Sequence, residues 1–312
     1  MADPPSCCEL AKATFTGRAE DLRWAATRLP MAGDLEAVHD VRVALRRLGE
    51  AGRAFRGCAV PGSGRSAGER RQLERRLGPL RDAEVRLQLL DQVLGPLAVW
   101  RDRSDDPRLV GEGSYVVVPQ LADRLRPGLR GLETHARRLL ADRTSEQIER
   151  RRGRRLTPAA LELLQRLASV PVLDTGHPGS GPALHLARQQ LPPLFGAAAR
   201  RGADLHRRRI RLRRLRYRVE VFAPALPGGH EPVLQELRRL QQLLGQLHDQ
   251  TVLAGWIRRR ARRERPELRP ALRRLSVRAA LEEQASAEAA ARELARLDAA
   301  RWWETAQAAA LA

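Results

Sequence analysis

Lysine is almost missing from this chain of 312 residues: Lys12 stands alone, and the rest of the 57 basic residues are arginine. Its cationic surfaces are therefore guanidinium, which stays charged at any working pH and offers planar, paired donors to carboxylate and phosphate oxygens. Aromatic residues are scarce at 4%, so the core rests on Leu, Ala and Val. The platforms on which single-strand binders stack bases are missing too. The three cysteines, Cys7, Cys8 and Cys58, have no metal-ligand spacing and are too few for a disulfide framework. No apolar run approaches the ~18 residues of a membrane span. The opening MADPPSCCELAK has no basic-then-apolar leader pattern, which points to a reducing, cytoplasmic setting. Strand-like alternation is nearly absent; VVVP at 116–119 is too short to found a sheet.

What is present is helical periodicity and positive charge. Val41, Leu45, Leu48 and Phe55 step at helical intervals, as do Leu237, Leu240, Leu244 and Leu247, each set forming one buried stripe. The pattern predicts helices near 9–29, 35–57, 66–95, 119–142 and 145–168, then 183–201, 203–223, 230–264 and 267–305. The tail AQAAALA is expected to fray. Long helices with short connections form antiparallel bundles, so the expected fold is all-α. The longest break, SVPVLDTGHPGSGP at 169–182, marks the expected boundary. It gives an N-terminal bundle over 1–170, a linker over 171–182 and a C-terminal bundle over 183–312. The formal charge is +20, enough to attract polyanions at long range.

The chain also contains one unusual helix twice. VHDVRVALRRL at 38–48 and LHRRRIRLRRLRY at 205–217 superpose on a single shift of 167. His39 falls on His206, Arg42 on Arg209, Arg46 on Arg213, Arg47 on Arg214, Leu48 on Leu215 and Phe55 on Phe222. The same ungapped shift carries Leu77-Gly78 to Leu244-Gly245, Asp82 to Asp249 and Val85 to Val252. A repeat of this length describes two similar halves.

At about 100° per residue, His39, Arg42, Arg46 and Arg53 share one narrow face, as do His206, Arg209, Arg213 and Arg216. A solvated face would place acids four residues away to relieve the repulsion. Here Glu50 borders the first row, and Glu220 continues the second and can hold an arginine in place. The duplicated pattern, histidine included, favours a binding face over a merely solvated one. Asp82 and Asp249 most simply pair with an arginine of a neighbouring helix, and Gly78 and Gly245 permit close helix approach. Tyr217 is open to two roles, packing at the bundle edge or contacting a ligand. Trp24, Trp100, Trp256, Trp302 and Trp303 are expected in the core or at caps. The histidines, His39, His135, His177, His185, His206, His230 and His248, form no HxxxH or HxxEH pattern, so no metal site is expected.

HDVRVALRRL followed by LGPLRDAEV, then HRRRIRLRRLRYRVEVF followed by LQQLLGQLHDQTV, resemble the two halves of the CHAD domain (conserved histidine α-helical domain) over about residues 10–305. His206, Arg209, Arg213, Arg214, Arg216 and Tyr217 stand where the family pattern has His, Arg or Lys, and Tyr. In the first half His39, Arg42, Arg46 and Arg47 match, while Gly49 replaces a frequent third basic residue. The resemblance implies two four-helix bundles related by a pseudo-twofold axis and a basic central groove or cavity. It implies binding of inorganic polyphosphate and association with polyphosphate granules. In the family this domain often follows a triphosphate-tunnel barrel with an ExExK motif. Lys12 has no such context, so a standalone binding protein, not an enzyme, is expected.

The expected polyphosphate contacts are His39, Arg42, Arg46, Arg47, His206, Arg209, Arg213, Arg214, Arg216 and Tyr217. Arg75, Arg76, Arg238 and Arg239 could extend the track. The histidines would gain charge as the pH falls through about 6.5. No cofactor or metal is called for. Non-sequence-specific nucleic-acid binding is the alternative that the charge allows, though no helix-turn-helix or zinc-finger signature supports it. A metal-dependent phosphohydrolase is the remaining alternative; it lacks an acidic cluster beside the histidines.

Overall fold

Ser6 starts the first helix with a reciprocal cap. Its hydroxyl accepts from Glu9 N while the Glu9 carboxylate accepts from Ser6 N at 2.9 Å, which satisfies two otherwise orphaned donors. The computed structural model describes residues 5–29, 34, 36–56, 63–93, 119–169, 181–202 and 204–311. Among these the structure is all-α, with ten α-helices and no strand. They are α1 (Cys7–Arg28), α2 (Ala37–Ala54), α3 (Ser63–Val93), α4 (Pro119–Arg155), α5 (Pro158–Leu167), α6 (Ala183–Ala199), α7 (Leu205–Phe222), α8 (His230–Ala261), α9 (Arg269–Ala299) and α10 (Trp302–Leu311). Cys58, Trp100, His177 and most of the VVVP stretch lie outside the described residues.

Two compact units emerge. The first comprises Met1–Arg81, Arg150–His248 and Ser286–Ala312; the second comprises Asp82–Glu149 and Asp249–Ala285. The linker expected over 171–182 lies outside the described residues except for Gly181 and Pro182. The first unit takes residues from both sides of it.

In the first unit α1 packs on α2 and α5, α2 on α7, and α6 on α7 and α10. Its core joins Phe15, Phe55, Phe195 and Phe222 to the leucines of α6, α7 and α8. Phe55 meets Phe222 at 5.8 Å between ring centroids and Phe15 at 6.4 Å, spacings at which tilted rings attract beyond their buried area. Most of the first apolar stripe is inside: Val41, Leu45 and Phe55 have no exposed surface, while Leu48 is partly buried against the same core. Asp34 accepts from Glu36 N and Ala37 N at the start of α2, and Arg28 clamps Asp34 and Asp40 together. In the second unit Leu90, Leu140, Leu253, Ile257, Leu272 and Leu275 form the core. Its buried Glu264 gathers Arg143 and Arg260.

Three sequence expectations are corrected. The break placed at 142–145 is absent: α4 runs through it, and the buried Thr144 has its hydroxyl satisfied within the helix by donating to Leu140 O at 2.6 Å. α4 ends instead at Arg155, and Thr157 caps α5 with Pro158 following. The tail does not fray: it forms α10, with Trp303, Ala306 and Ala310 buried. Arg301, with φ of 51°, separates α9 from α10, and Trp303 Nε1 donates to Asp298 at 2.7 Å. Trp24 is neither core nor cap. It is 61% exposed and carries the Arg28 guanidinium over its ring at 4.5 Å.

Gly229 lies against the carbonyl of Ala309 in α10, so a Cβ there would meet backbone. Gly229→Ala is expected to cost about 1–3 kcal/mol through forced displacement. Gly228→Ala, which opens into free space, should change little. Urea unfolding of the two variants checks the contrast.

Candidate functional site

α2 and α7, which carry the two similar sequence stretches 38–48 and 205–217, pack against each other in the first unit. Equivalent positions therefore meet. Phe55 touches Phe222, and the charge of Arg46 bears on Arg213. Each helix also supplies one buried carboxylate to the other. Glu50 of α2 is 1% exposed and accepts from Arg218 of α7 at 2.6 Å, as well as from its own neighbour Arg53. Glu220 of α7 pairs with Arg216 at 2.7 Å, with Arg47 of α2 at 3.5 Å and with Arg18 of α1 at 3.8 Å.

These carboxylates divide the arginines into two kinds. Arg47 and Arg216 are held by Glu220, and Tyr217 is 4% exposed with the Arg216 guanidinium 4.5 Å and that of Arg47 5.8 Å from its ring centroid. Arg216 Nε also donates to Gln241 at 2.5 Å. Tyr217 thus orients two arginines from within. Arg53, a member of the first row, is taken up by Glu50.

Arg46, Arg213 and Arg214 make no ion pair among the described residues. Arg213 is half-buried; desolvation first, then Arg46 and Arg209, pushes its pKa down to about 10, with Tyr217 and Glu74 opposing. Arg42 donates to Glu74 O of α3 at 2.6 Å, which brings the start of the first row beside α3. Arg214 is exposed on α7.

The two histidines differ. His39 has its pKa pushed below the ordinary 6.5 by desolvation and then by the Arg81 guanidinium; Glu36 and Asp40 oppose, and Arg46 adds to the depression. The expectation that it charges near 6.5 is thereby corrected. His206, at the exposed start of α7, lies 5.4 Å ring to ring from His248 of α8. Among the described residues no three His, Cys, Asp or Glu side chains gather as metal ligands.

Other expectations shift as well. A Cβ at Gly78 would come within 3.3 Å of Arg42 Nη1, so this glycine makes room for a guanidinium; Gly245 has open space around it. Asp82 is exposed and pairs with no arginine among the described residues. Arg238 is bound to Glu231 at 2.9 Å, and Arg239 to Glu236 and Glu293, so neither extends a free track. At Gly49, where the third basic residue was missing, a Cβ would run into the Arg70 guanidinium arriving from α3. The roles of Arg18, Arg70, Glu74, Arg81 and Gln241 were not legible, because nothing in their local spacing says which helix they face.

A family model described as the CHAD domain matches residues 17–258. The fold is similar to that of the CHAD domain from the plant Ricinus communis, at TM-score 0.56 and 20% identity over 100% of this chain and 94% of that one. It is also similar to PptA from Streptomyces chartreusis, at TM-score 0.57 and 20% identity over 95% and 99% of the two chains. No curated protein matches.

Glu220→Gln would surround a neutral amide with three guanidiniums. Breaking such a buried arrangement costs about 3 kcal/mol. The variant is expected to unfold that much more readily in low salt and to regain more stability from added sulfate than the parent protein does. Urea titrations with and without sulfate measure both effects.

Proposed function

Because the chain belongs to the CHAD domain family, we propose that it binds inorganic polyphosphate along the arginine rows of α2 and α7, without catalysing a reaction, and associates with polyphosphate granules in the cytoplasm. In this reading the sequence halves 1–170 and 183–312 are duplicates related by a pseudo-twofold axis, and their repeated helices line one basic groove. The meetings of Phe55 with Phe222 and of Arg46 with Arg213 support it, as do the exchanged carboxylates Glu50 and Glu220.

The observation that carries the proposal is the juxtaposition of Arg46 and Arg213, half-buried and without a carboxylate partner among the described residues. Like charges held together while partly desolvated are costly, and a polyanion relieves that cost. Polyphosphate has about one negative charge per phosphate and no bases. Fixed guanidiniums suffice to read it, and each can engage two oxygens. Arg46, Arg213, Arg209 and Arg214 would make the principal contacts, with Arg42 beside them. Arg47, Arg216 and Tyr217 would fix the edge of the track, and His39 and His206 would donate to phosphate oxygens. Nucleic acid offers the same phosphates. The one tyrosine in the rows, though, is buried beneath two arginines and cannot serve as a base platform.

Long-chain polyphosphate is expected to bind tightly at low salt and to weaken linearly in log affinity against log salt. Arg46→Gln with Arg213→Gln should weaken binding by about 100-fold, the worth of two charge-assisted contacts, and flatten the salt slope. Polyphosphate should displace DNA at far lower phosphate equivalents than the reverse. Absence of binding at modest ionic strength, or indifference to the double substitution, overturns the proposal.

Binding should also take up protons. In the free protein the His39 imidazolium is disfavoured; a phosphate beside it favours the charged form and raises its pKa. Affinity is therefore expected to rise as the pH falls through the mildly acidic range. Calorimetry in buffers of different ionisation enthalpy should detect proton uptake on binding at mildly acidic pH, diminished in His39→Gln.

A further inference from the structure

A second cationic concavity lies on the first unit, away from the α2–α7 rows. It has a volume of about 430 Å³ and is lined by Gln72, Arg75 and Arg76 of α3 and Arg154 and Arg155 at the end of α4. At about 100° per residue, Gln72, Arg75 and Arg76 point roughly 150° away from Glu74, Gly78 and Arg81. That second set is the one in contact with Arg42 and within the field of Arg213 and His39. α3 thus presents one face to the rows and the other to this cavity.

Four guanidiniums line the cavity and no carboxylate does. Two of them are tethered by part of their donor sets. Arg76 Nη2 donates to Thr157 Oγ1 at 2.9 Å and to Arg154 O at 3.3 Å, and Arg155 Nη1 donates to Arg76 O at 3.4 Å. Thr157 is itself fixed as the cap of α5. Each tethered guanidinium keeps donors to spare. Arg75 and Arg154 are exposed, and their side chains make no ion pair among the described residues. Elsewhere in the unit, by contrast, Arg166 of α5 pairs with Glu69 of α3. The lining has no aromatic ring and no aliphatic residue, so positive charge is its main attraction for a ligand. The hollow is open to solvent and larger than one oxyanion needs.

We propose that this cavity is a separate binding site for a short inorganic oligophosphate, with Arg75, Arg76, Arg154 and Arg155 as the phosphate-binding groups and Gln72 as a neutral donor at the rim. The site stands independently of the α2–α7 reading. It gives the first unit two anion sites on opposite faces of one helix.

Titration of the full chain with inorganic triphosphate at low salt, followed by calorimetry, is expected to show two classes of site. Arg75→Gln with Arg154→Gln removes side chains that hold nothing else in place. It should weaken one class at least about tenfold, the worth of a charge-assisted contact, and leave the other intact. Gln72→Glu, which places a carboxylate among the four arginines, should abolish the same class with every arginine retained. Circular dichroism confirms that both variants fold. Arg46→Gln with Arg213→Gln should leave this class unchanged. If triphosphate binding is indifferent to both cavity variants, or if the Arg46 and Arg213 substitutions remove both classes at once, the site is overturned. Loss through the cavity variants alone, with no effect at Arg46 and Arg213, supports it while counting against the α2–α7 rows.

Discussion

The arrangement of α2 and α7 depends on two carboxylates, Glu50 and Glu220, each shared by arginines of both helices. A helix as rich in arginine as α7 cannot pack on another basic helix unless its inward charges are answered. A lone buried charge is costly, whereas one paired on several sides is tolerated. Glu50 is almost wholly buried and Glu220 nearly so, and together they engage Arg18, Arg47, Arg53, Arg216 and Arg218. This leaves Arg46, Arg213 and Arg214 outside their reach. A basic face with acids distributed evenly along it would be a solvated surface. Here the acids are concentrated where the helices touch, and the unanswered cations stand beside them.

The architecture was largely legible because it rests on local periodicity. The stripe of Val41, Leu45 and Phe55 needs no knowledge of its neighbours to be read as a buried face. Errors arose where local chemistry had two outcomes. Thr144 and Ser145 are poor helix formers, but the Thr144 hydroxyl donates back to Leu140 O and the helix continues. The alanine-rich tail reads as fraying until Trp303 finds Asp298. Similarly, Gly78 and Gly245 occupy equivalent positions in sequence, yet one lies beside the Arg42 guanidinium and the other beside open space. Equivalence in sequence does not carry over to side-chain surroundings.

The candidate site was legible in its rows and not in its partners. His39, Arg42, Arg46 and their counterparts could be aligned by eye. Whether an arginine is bound or available depends on a carboxylate that arrives from far along the chain. Arg238 and Arg239 look as available in sequence as Arg75 and Arg76. The first pair is bound to Glu231, Glu236 and Glu293, whereas Arg75 and Arg76 join Arg154 and Arg155 around a cavity without acids. That cluster unites residues some 80 positions apart, and no spacing rule in the sequence announces it.

The near-absence of lysine acquires a physical consequence at Arg213. Desolvation and the Arg46 and Arg209 charges bring its pKa to about 10, and a group titrating there is still charged at neutral pH. A lysine begins from a lower value, and the same depression would bring its titration closer to neutral pH. Part of the population would then shed its proton and with it the repulsion, so the cation would be lost where it is most crowded. Guanidinium cannot escape in this way. Crowding it therefore keeps the full charge in place at a cost in stability, which an anion bound to the folded state would return through linkage. A site of this kind can be built from arginine at densities where lysine would neutralise itself.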